Sequence, residues 1–423
     1  MDNCRQEQQR DVALYVHVPF CVKRCNYCDF YSTVVGKDSA KNACLVDDYF
    51  VTLIQHIKAA SQQERYGWDN ARISSVYFGG GTPSLVYQYL PAVLDVMRES
   101  FTLKGDCEIT LEANPESFDQ TTARTLADAG FNRVSLGVQS FDDDMLALLG
   151  RAHNSAQALA SMHAAVNAGM RTSVDLMLGL PEQPLPLLSS EEKRESLLCT
   201  DWNALLDLID HVSVYPLTAE EGTALEEMLD SGQLVLPSED EVAQQVVQIQ
   251  SLLASFSFER YEISSYARAG QHSRQNMHYW LGGLSNTGGD YVGFGPSAAS
   301  MQDLPTDTAA GTRRRFVMYE TLDTFLADPT GENWSQDAPE QSELLSSQEI
   351  PRENIMLALR TNIGASADYV AAAGQALLCD ELVEKGLLQR VKHEAAEPDH
   401  YRCTQQGWLL GNIVFSAIWV SGE

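Results

Sequence analysis

Between residues 13 and 216, short apolar runs alternate with longer segments whose apolar residues recur at helical spacing. Residues 13–18, 74–78, 108–112, 133–136, 171–177 and 211–215 read as strands. Residues 47–61, 87–100, 121–129 and 155–168 read as amphipathic helices, and 142–150 as a short capped one. Strands alternating with helices predict parallel βαβ units and an α/β fold. Six units predict a partial, TIM-like (β/α)6 barrel, whose chemistry gathers at the carboxyl ends of the strands. Residues 183–200 read as a loop or added helix before the sixth strand, and 222–256 as helical. Residues 301–350 are rich in Asp, Ser, Gln and Pro, carry basic residues at 313–315, and end in an expected surface linker. From residue 352 the pattern changes to short helices, a two-stranded element near 388–391 and 400–403, and a final helix. That predicts a small α+β, winged-helix-like unit. The expected division is a barrel over 1–260, a central segment over 261–350 and an accessory domain over 351–423. No internal repeat is visible.

Composition narrows the function. The chain has 423 residues, 44% apolar and 21% charged, with a net charge of −29. So acidic a surface disfavours tracking a phosphate backbone, and nucleic acid is not an expected partner. The first ten residues are polar and lack the apolar core of a signal peptide. The longest apolar run, residues 413–420, is too short to span a bilayer. Nine cysteines, an odd number in a long chain, point to a reducing compartment, the cytoplasm, and not to a disulfide framework.

Three of those cysteines carry the chemistry. Cys21, Cys25 and Cys28 stand at C-x3-C-x2-C spacing directly after the first strand. A [4Fe–4S] cluster usually takes four thiolates, so three leave one iron open to a chelating small molecule. A structural zinc site would need a fourth ligand nearby, and none follows at that spacing. Gly79, Gly80, Gly81 and Thr82 close the second strand, where glycines let a ligand approach the backbone; a flexible turn is the competing reading. Glu112 ends the third strand, and Gln139 stands in the same position on the fourth. Asp175 sits inside an apolar strand, where a charge is costly unless satisfied. Arg151 and His153 follow the capped helix, and Arg151 is placed either to pair with a carboxylate in the cavity or to form a surface ion pair.

Taken in order, the runs YVHVPFCVKRCNYCDF (15–30), FGGGTPS (78–84), EANPE (112–116), LGVQSF (136–141), GRAH (150–153), DLMLGLP (175–181) and YPLT (215–218) closely resemble the radical S-adenosylmethionine (SAM) superfamily. Within it they resemble oxygen-independent coproporphyrinogen III oxidases and the haem chaperones of the HemW type. The resemblance implies that Cys21, Cys25 and Cys28 ligate a [4Fe–4S] cluster and that SAM chelates the fourth iron. It places Tyr15, Tyr27, Gly80, Gly81, Thr82, Glu112, Gln139, Arg151 and Asp175 on SAM-binding positions. Cluster and SAM would perform the radical chemistry while the protein orients them, so no side chain is assigned to catalysis. Gly80→Val is expected to hinder SAM and spare the cluster.

Two features favour the chaperone branch. The oxidases carry another cysteine two residues after the third ligand, where this chain has Phe30, and a longer stretch before the cluster, where this chain has fourteen residues ahead of Tyr15. The chaperone signature H-N-x-x-Y-W, associated with haem, appears as Gln275-Asn276-Met277-His278-Tyr279-Trp280. Asn276, Tyr279 and Trp280 match; the leading His is Gln275, and His278 or His272 is the substitute ligand on offer. A second pattern, G-x-G-P-G-A-H-S, appears at 293–300 with Ala299 in place of its His, and residues 284–288 look inserted. The implied partners are haem-accepting proteins, an electron donor and a second copy of the chain on haem binding. Oxidative decarboxylation of coproporphyrinogen is the alternative activity.

Overall fold

A computed structural model describes residues 9–36, 42–181, 205–285, 288–304, 313–335, 342–392 and 398–420. The six expected strands form as β1 (Arg10–Val18), β2 (Ala71–Gly80), β3 (Leu103–Ala113), β4 (Arg133–Gln139), β5 (Arg171–Leu178) and β6 (His211–Pro216). They lie in chain order, each pair parallel. Helices in the connections cover one face. In helix Ala43–Ser61 the buried Val46, Tyr49, Phe50, Leu53, Ile57 and Ala60 recur every three or four residues. Asp119 caps helix Gln120–Ala129, Asp142 caps Asp143–Leu148, and Asn154 with Gln157 forms a capping box on Ser155–Asn167.

Alternation within the strands sets the layers. Leu14, Val16, Phe78, Leu111, Val134 and Val174 join the helices in one hydrophobic core. The residues between them turn to the inside of the barrel and are polar. Tyr15 stands opposite Tyr77, Glu112 opposite Ser135, and Asp175 opposite Ser213.

The sheet is wider than the apolar pattern predicts. Beyond β6 lie β7 (Glu259–Arg260) and β8 (Ser265–Ala267). Beyond β1 lie β9 (Tyr291–Phe294), parallel to it, and the antiparallel β10 (Ala299–Asp303), β11 (Arg313–Val317) and β12 (Glu343–Leu345). The stretch expected to end in a surface linker thus supplies three strands, and its Trp334 is fully buried. The basic run is not a surface patch: Arg313 is 1% exposed and pairs with Asp303 and Glu353, while Arg315 pairs with Glu343 and Glu353. These strands are short and polar, so they give no clean period-two signal.

Residues 222–256 form two helices, Ala224–Asp230 and Glu239–Ser255, not one continuous segment. Near the carboxyl end, a second core gathers Ile355, Leu359, Val370, Leu382, Tyr401 and Val414. It is built by short helices and by three strands, Ala365–Ser366, Leu388–Val391 and His400–Cys403, where two were expected. The expected loop or helix over 183–200 lies outside the described residues.

Candidate functional site

The cysteine loop leaves the carboxyl end of β1. Phe20–Cys21 pairs with Thr33–Val34, closing a loop that carries Cys25 and Cys28. Asn26 fixes it to the end of helix Asp143–Leu148, its N–H donating to Leu149 O (3.0 Å) and its Nδ2 to Leu148 O (2.8 Å). Arg151 Nη1 donates to Cys25 Sγ and to Tyr27 OH, both at 3.4 Å. Arg151 Nη2 donates to Asn114 Oδ1 and to Gly137 O. Cys21 Sγ lies 3.6 Å from Thr82 Oγ1. Burial pushes the Cys28 thiol up to about 11 and the Cys21 thiol upward; Cys25 adds to the rise at both, and Cys21 adds to it at Cys28. Among the described residues no three His, Cys, Asp or Glu side chains gather around one ion position.

Beside this loop the carboxyl ends of β2 to β5 form a polar cradle. Gly80 takes φ +107° and donates its N–H to Glu112 Oε2 (3.0 Å), while Tyr77 OH donates to Oε1 (2.9 Å). Burial pushes Glu112 up to about 7; the charge of Asp175 adds to this, and the two hydrogen bonds oppose it. Burial likewise pushes Asp175 up to about 6, against hydrogen bonds from Ser213 and Ser135. A Cβ on Gly81 would lie 2.8 Å from the backbone of Phe20, so no side chain fits there. Gln139 takes φ +66°, and its buried Oε1 has no hydrogen-bond partner; nor has the buried Nε of Arg151. Buried polar atoms without partners are uncommon and suit a polar ligand. The structure thus brings Tyr27, Gly80, Gly81, Thr82, Glu112, Gln139 and Arg151 to the carboxyl end of the barrel beside the cysteine loop, and places Tyr15 and Asp175 on the barrel's inner wall. His153 is not part of the cradle: it is buried, its Nε2 3.1 Å from Val138 O.

Three cradle residues escape the strand-end reading. Asn114 links Thr82 to Arg151, donating to Thr82 Oγ1 at 2.9 Å. Tyr77 orients Glu112. His17 joins Tyr15 OH (3.2 Å) to the carbonyl of Tyr31 beyond the cysteine loop (2.9 Å). The period-two alternation that points Tyr15 inward also points His17 and Tyr77 inward, and that signal is present in the sequence.

Comparison with known proteins agrees with this geometry. Residues 15–185 match the family model described as the radical SAM superfamily. The chain is 34% identical to the mouse protein named radical S-adenosyl methionine domain-containing protein 1, mitochondrial, over 84% of this chain and 75% of that one. It is 30% identical to a Bacillus subtilis protein named heme chaperone HemW, over 95% of this chain and 98% of that one. The chain belongs to the HemW-type radical SAM family. In fold it resembles the solved coproporphyrinogen III oxidase HemN of Escherichia coli, with a TM-score of 0.73 at 20% identity over 98% of this chain and 91% of that one. Membership of this family implies a [4Fe–4S] cluster and SAM.

The residues matching the HemW-type haem signature lie elsewhere. Helix Arg274–Leu281 packs across the amino-terminal end of the barrel, forming its floor. Gln275 is 1% exposed, its Oε1 accepting from Ser75 Oγ (2.6 Å) and its Nε2 donating to Tyr279 OH (2.7 Å). The Tyr279 ring meets Tyr291 edge-on, and Arg360 lies over Trp280. His278 Nε2 is engaged with Asp290 O (2.8 Å), and burial pushes its pKa down. Asn276 N–H is capped by Ser273 Oγ. His272 stacks on Tyr261. Ala299, on β10, is exposed and distinct from this helix.

Proposed function

We propose that this chain is a haem chaperone, which binds haem and passes it to haem proteins while a [4Fe–4S] cluster and SAM occupy the carboxyl end of its barrel. The observation that carries the reading is end-to-end similarity to a protein named heme chaperone, joined to a 65% exposed Phe30 where the resembling oxidases have a cysteine. Cys21, Cys25 and Cys28 hold the cluster. When bound and reduced, the cluster supplies one low-potential electron to the sulfonium. The chain's own part is to orient and shield. Gly80, Gly81 and Thr82 admit the amino acid end of SAM to the backbone, Glu112 and Asp175 accept its donors, and Gln139 and Arg151 offer their unpartnered atoms. Tyr15 and Tyr27 wall the cradle. Asn276, His278, Tyr279 and Trp280 contact haem. The division into residues 1–260, 261–350 and 351–423, a dimer on haem binding, an electron donor and a cytoplasmic setting complete the proposal. All seven cysteines among the described residues are free, which supports a reducing compartment. No helix among those residues is long and apolar enough to cross a membrane.

The test is an anaerobic haem titration of the cluster-loaded chain, followed by absorption, with mass measured before and after. Saturable uptake with no conversion of coproporphyrinogen in the presence of SAM and reductant is the expected result. Turnover of coproporphyrinogen without haem uptake would replace the chaperone reading by the oxidase one.

A further inference from the structure

The floor helix Arg274–Leu281 is gripped from two sides by two cores. On the barrel side, Glu108 Oε1 accepts the backbone N–H groups of Arg274 (2.9 Å) and Gln275 (3.4 Å), and Ser75 holds the Gln275 side chain. On the other side, Asn354 Nδ2 donates to Gly283 O (2.9 Å), just past the helix end. Arg313 Nη1 braces that contact, donating to Asn354 Oδ1 and Glu353 Oε2, both at 2.7 Å. Leu281 and Leu284 pack on the carboxyl-terminal core, and the Arg360 guanidinium lies 5.3 Å from the Trp280 ring centre. A Cβ on Gly283 would lie 2.1 Å from Asn354 Oδ1, so the joint is built around a glycine. Ser75, Glu108, Gln275, Arg313 and Glu353 are each at most 1% exposed.

A planar macrocycle needs an open ring face. In this arrangement Tyr279 gives its hydroxyl to Gln275 and its ring to Tyr291, while Trp280 lies beneath Arg360. We propose that this two-sided grip is an autoinhibitory clamp: the barrel side, through Ser75, Gln275 and Tyr291, holds Tyr279, and the carboxyl-terminal unit, joined to the floor helix at Gly283 and Asn354, covers Trp280, until the clamp opens. The proposal rests on the reading of Asn276, Tyr279 and Trp280 as haem contacts. A clamp of this kind lowers the apparent haem affinity by the fraction of molecules that are open. Weakening it therefore raises haem uptake, although no weakened residue touches haem.

Hydrogen exchange and anaerobic haem association, measured on the full cluster-loaded chain, test this. Asn354→Ala removes the grip from the carboxyl-terminal side and Ser75→Ala from the barrel side. Each is expected to speed exchange over residues 274–284 and haem association together, by roughly tenfold for the one hydrogen bond each breaks to residues 274–284. Tyr369→Phe, which only unties Asn354 from the Tyr369 hydroxyl (2.9 Å), gives a smaller rise in the same direction and serves if Asn354→Ala unfolds the carboxyl-terminal unit. Haem uptake at one rate in every form would overturn the clamp and leave the chaperone reading intact. Absence of uptake in every form would remove both.

Discussion

Glu112 shows how much a single side chain in the cradle decides. Its folded pKa of about 7 stands above the 4.5 of an ordinary glutamate, so between those values the folded chain keeps a proton that the unfolded chain has lost. The stability of the ligand-free barrel therefore falls as pH rises through that window and levels off above it. Asp175, raised to about 6, adds a slope of the same sign. Glu112→Gln is expected to flatten most of the slope, read by urea melts from about pH 5 to 8. Ionisation of Glu112 also readies it to accept hydrogen bonds, so SAM affinity should rise as pH passes about 7 in the wild type and stay level in the variant. At Gly80 the structure revises the sequence-based expectation. A Cβ there would lie 2.5 Å from the His17 ring, on a backbone with φ +107°, and His17 is bonded to Tyr31 beyond the cysteine loop. Gly80→Val should thus cost iron content as well as SAM binding, and Cys25→Ala should abolish the cluster and with it productive SAM binding; iron assay and the thiolate-to-iron absorption read the loss in each. Residue types and spacing made the cysteines, Gly80 and Glu112 legible. Of the partners that hold them, Tyr77 and His17 share the inward alternation of Tyr15, whereas Asn114 becomes evident only once the strands are laid side by side.

The elements that were readable share one property: each has a single apolar face. The parallel strands and their covering helices bury Val, Leu and Ile on one side, and their period survives in the sequence. The floor helix does not behave this way. It meets the barrel on one side and the carboxyl-terminal core on the other, and its buried Gln275 is satisfied by polar partners, so Gln275 to Trp280 shows no apolar stripe in the sequence. The same holds for β11, whose Arg313 is buried against Glu353. Removing Arg313 leaves the buried Glu353 with only the 33% exposed Arg315 as an ion-pair partner among the described residues. Arg313→Ala is expected to destabilise the chain by about 3–5 kcal/mol, and Arg313→Ala with Glu353→Leu by less. Urea midpoints for the single and double variants check this.

For the molecule as a whole, a net charge of −29 sets a repulsive background against which every contact works. Adding monovalent salt to about 0.15 M screens it, so the melting temperature should rise with salt; a thermal melt series in which it fell would show that the ion pairs outweigh the repulsion. The sheet ends in two very short edges, Glu259–Arg260 and Glu343–Leu345, each with a charged residue, which discourages edge-to-edge pairing. The width of the sheet also bears on how the protein is made. The cysteine loop is complete at Cys28, yet the strand it hangs from gains its second neighbour only with Tyr291. At about 5–20 residues per second, β1 emerges from the ribosome on the order of ten seconds or more before that neighbour exists. Until then the cysteine loop hangs from a strand paired on one side only, and its thiols stand open to oxidants, a hazard that grows with every pause in translation.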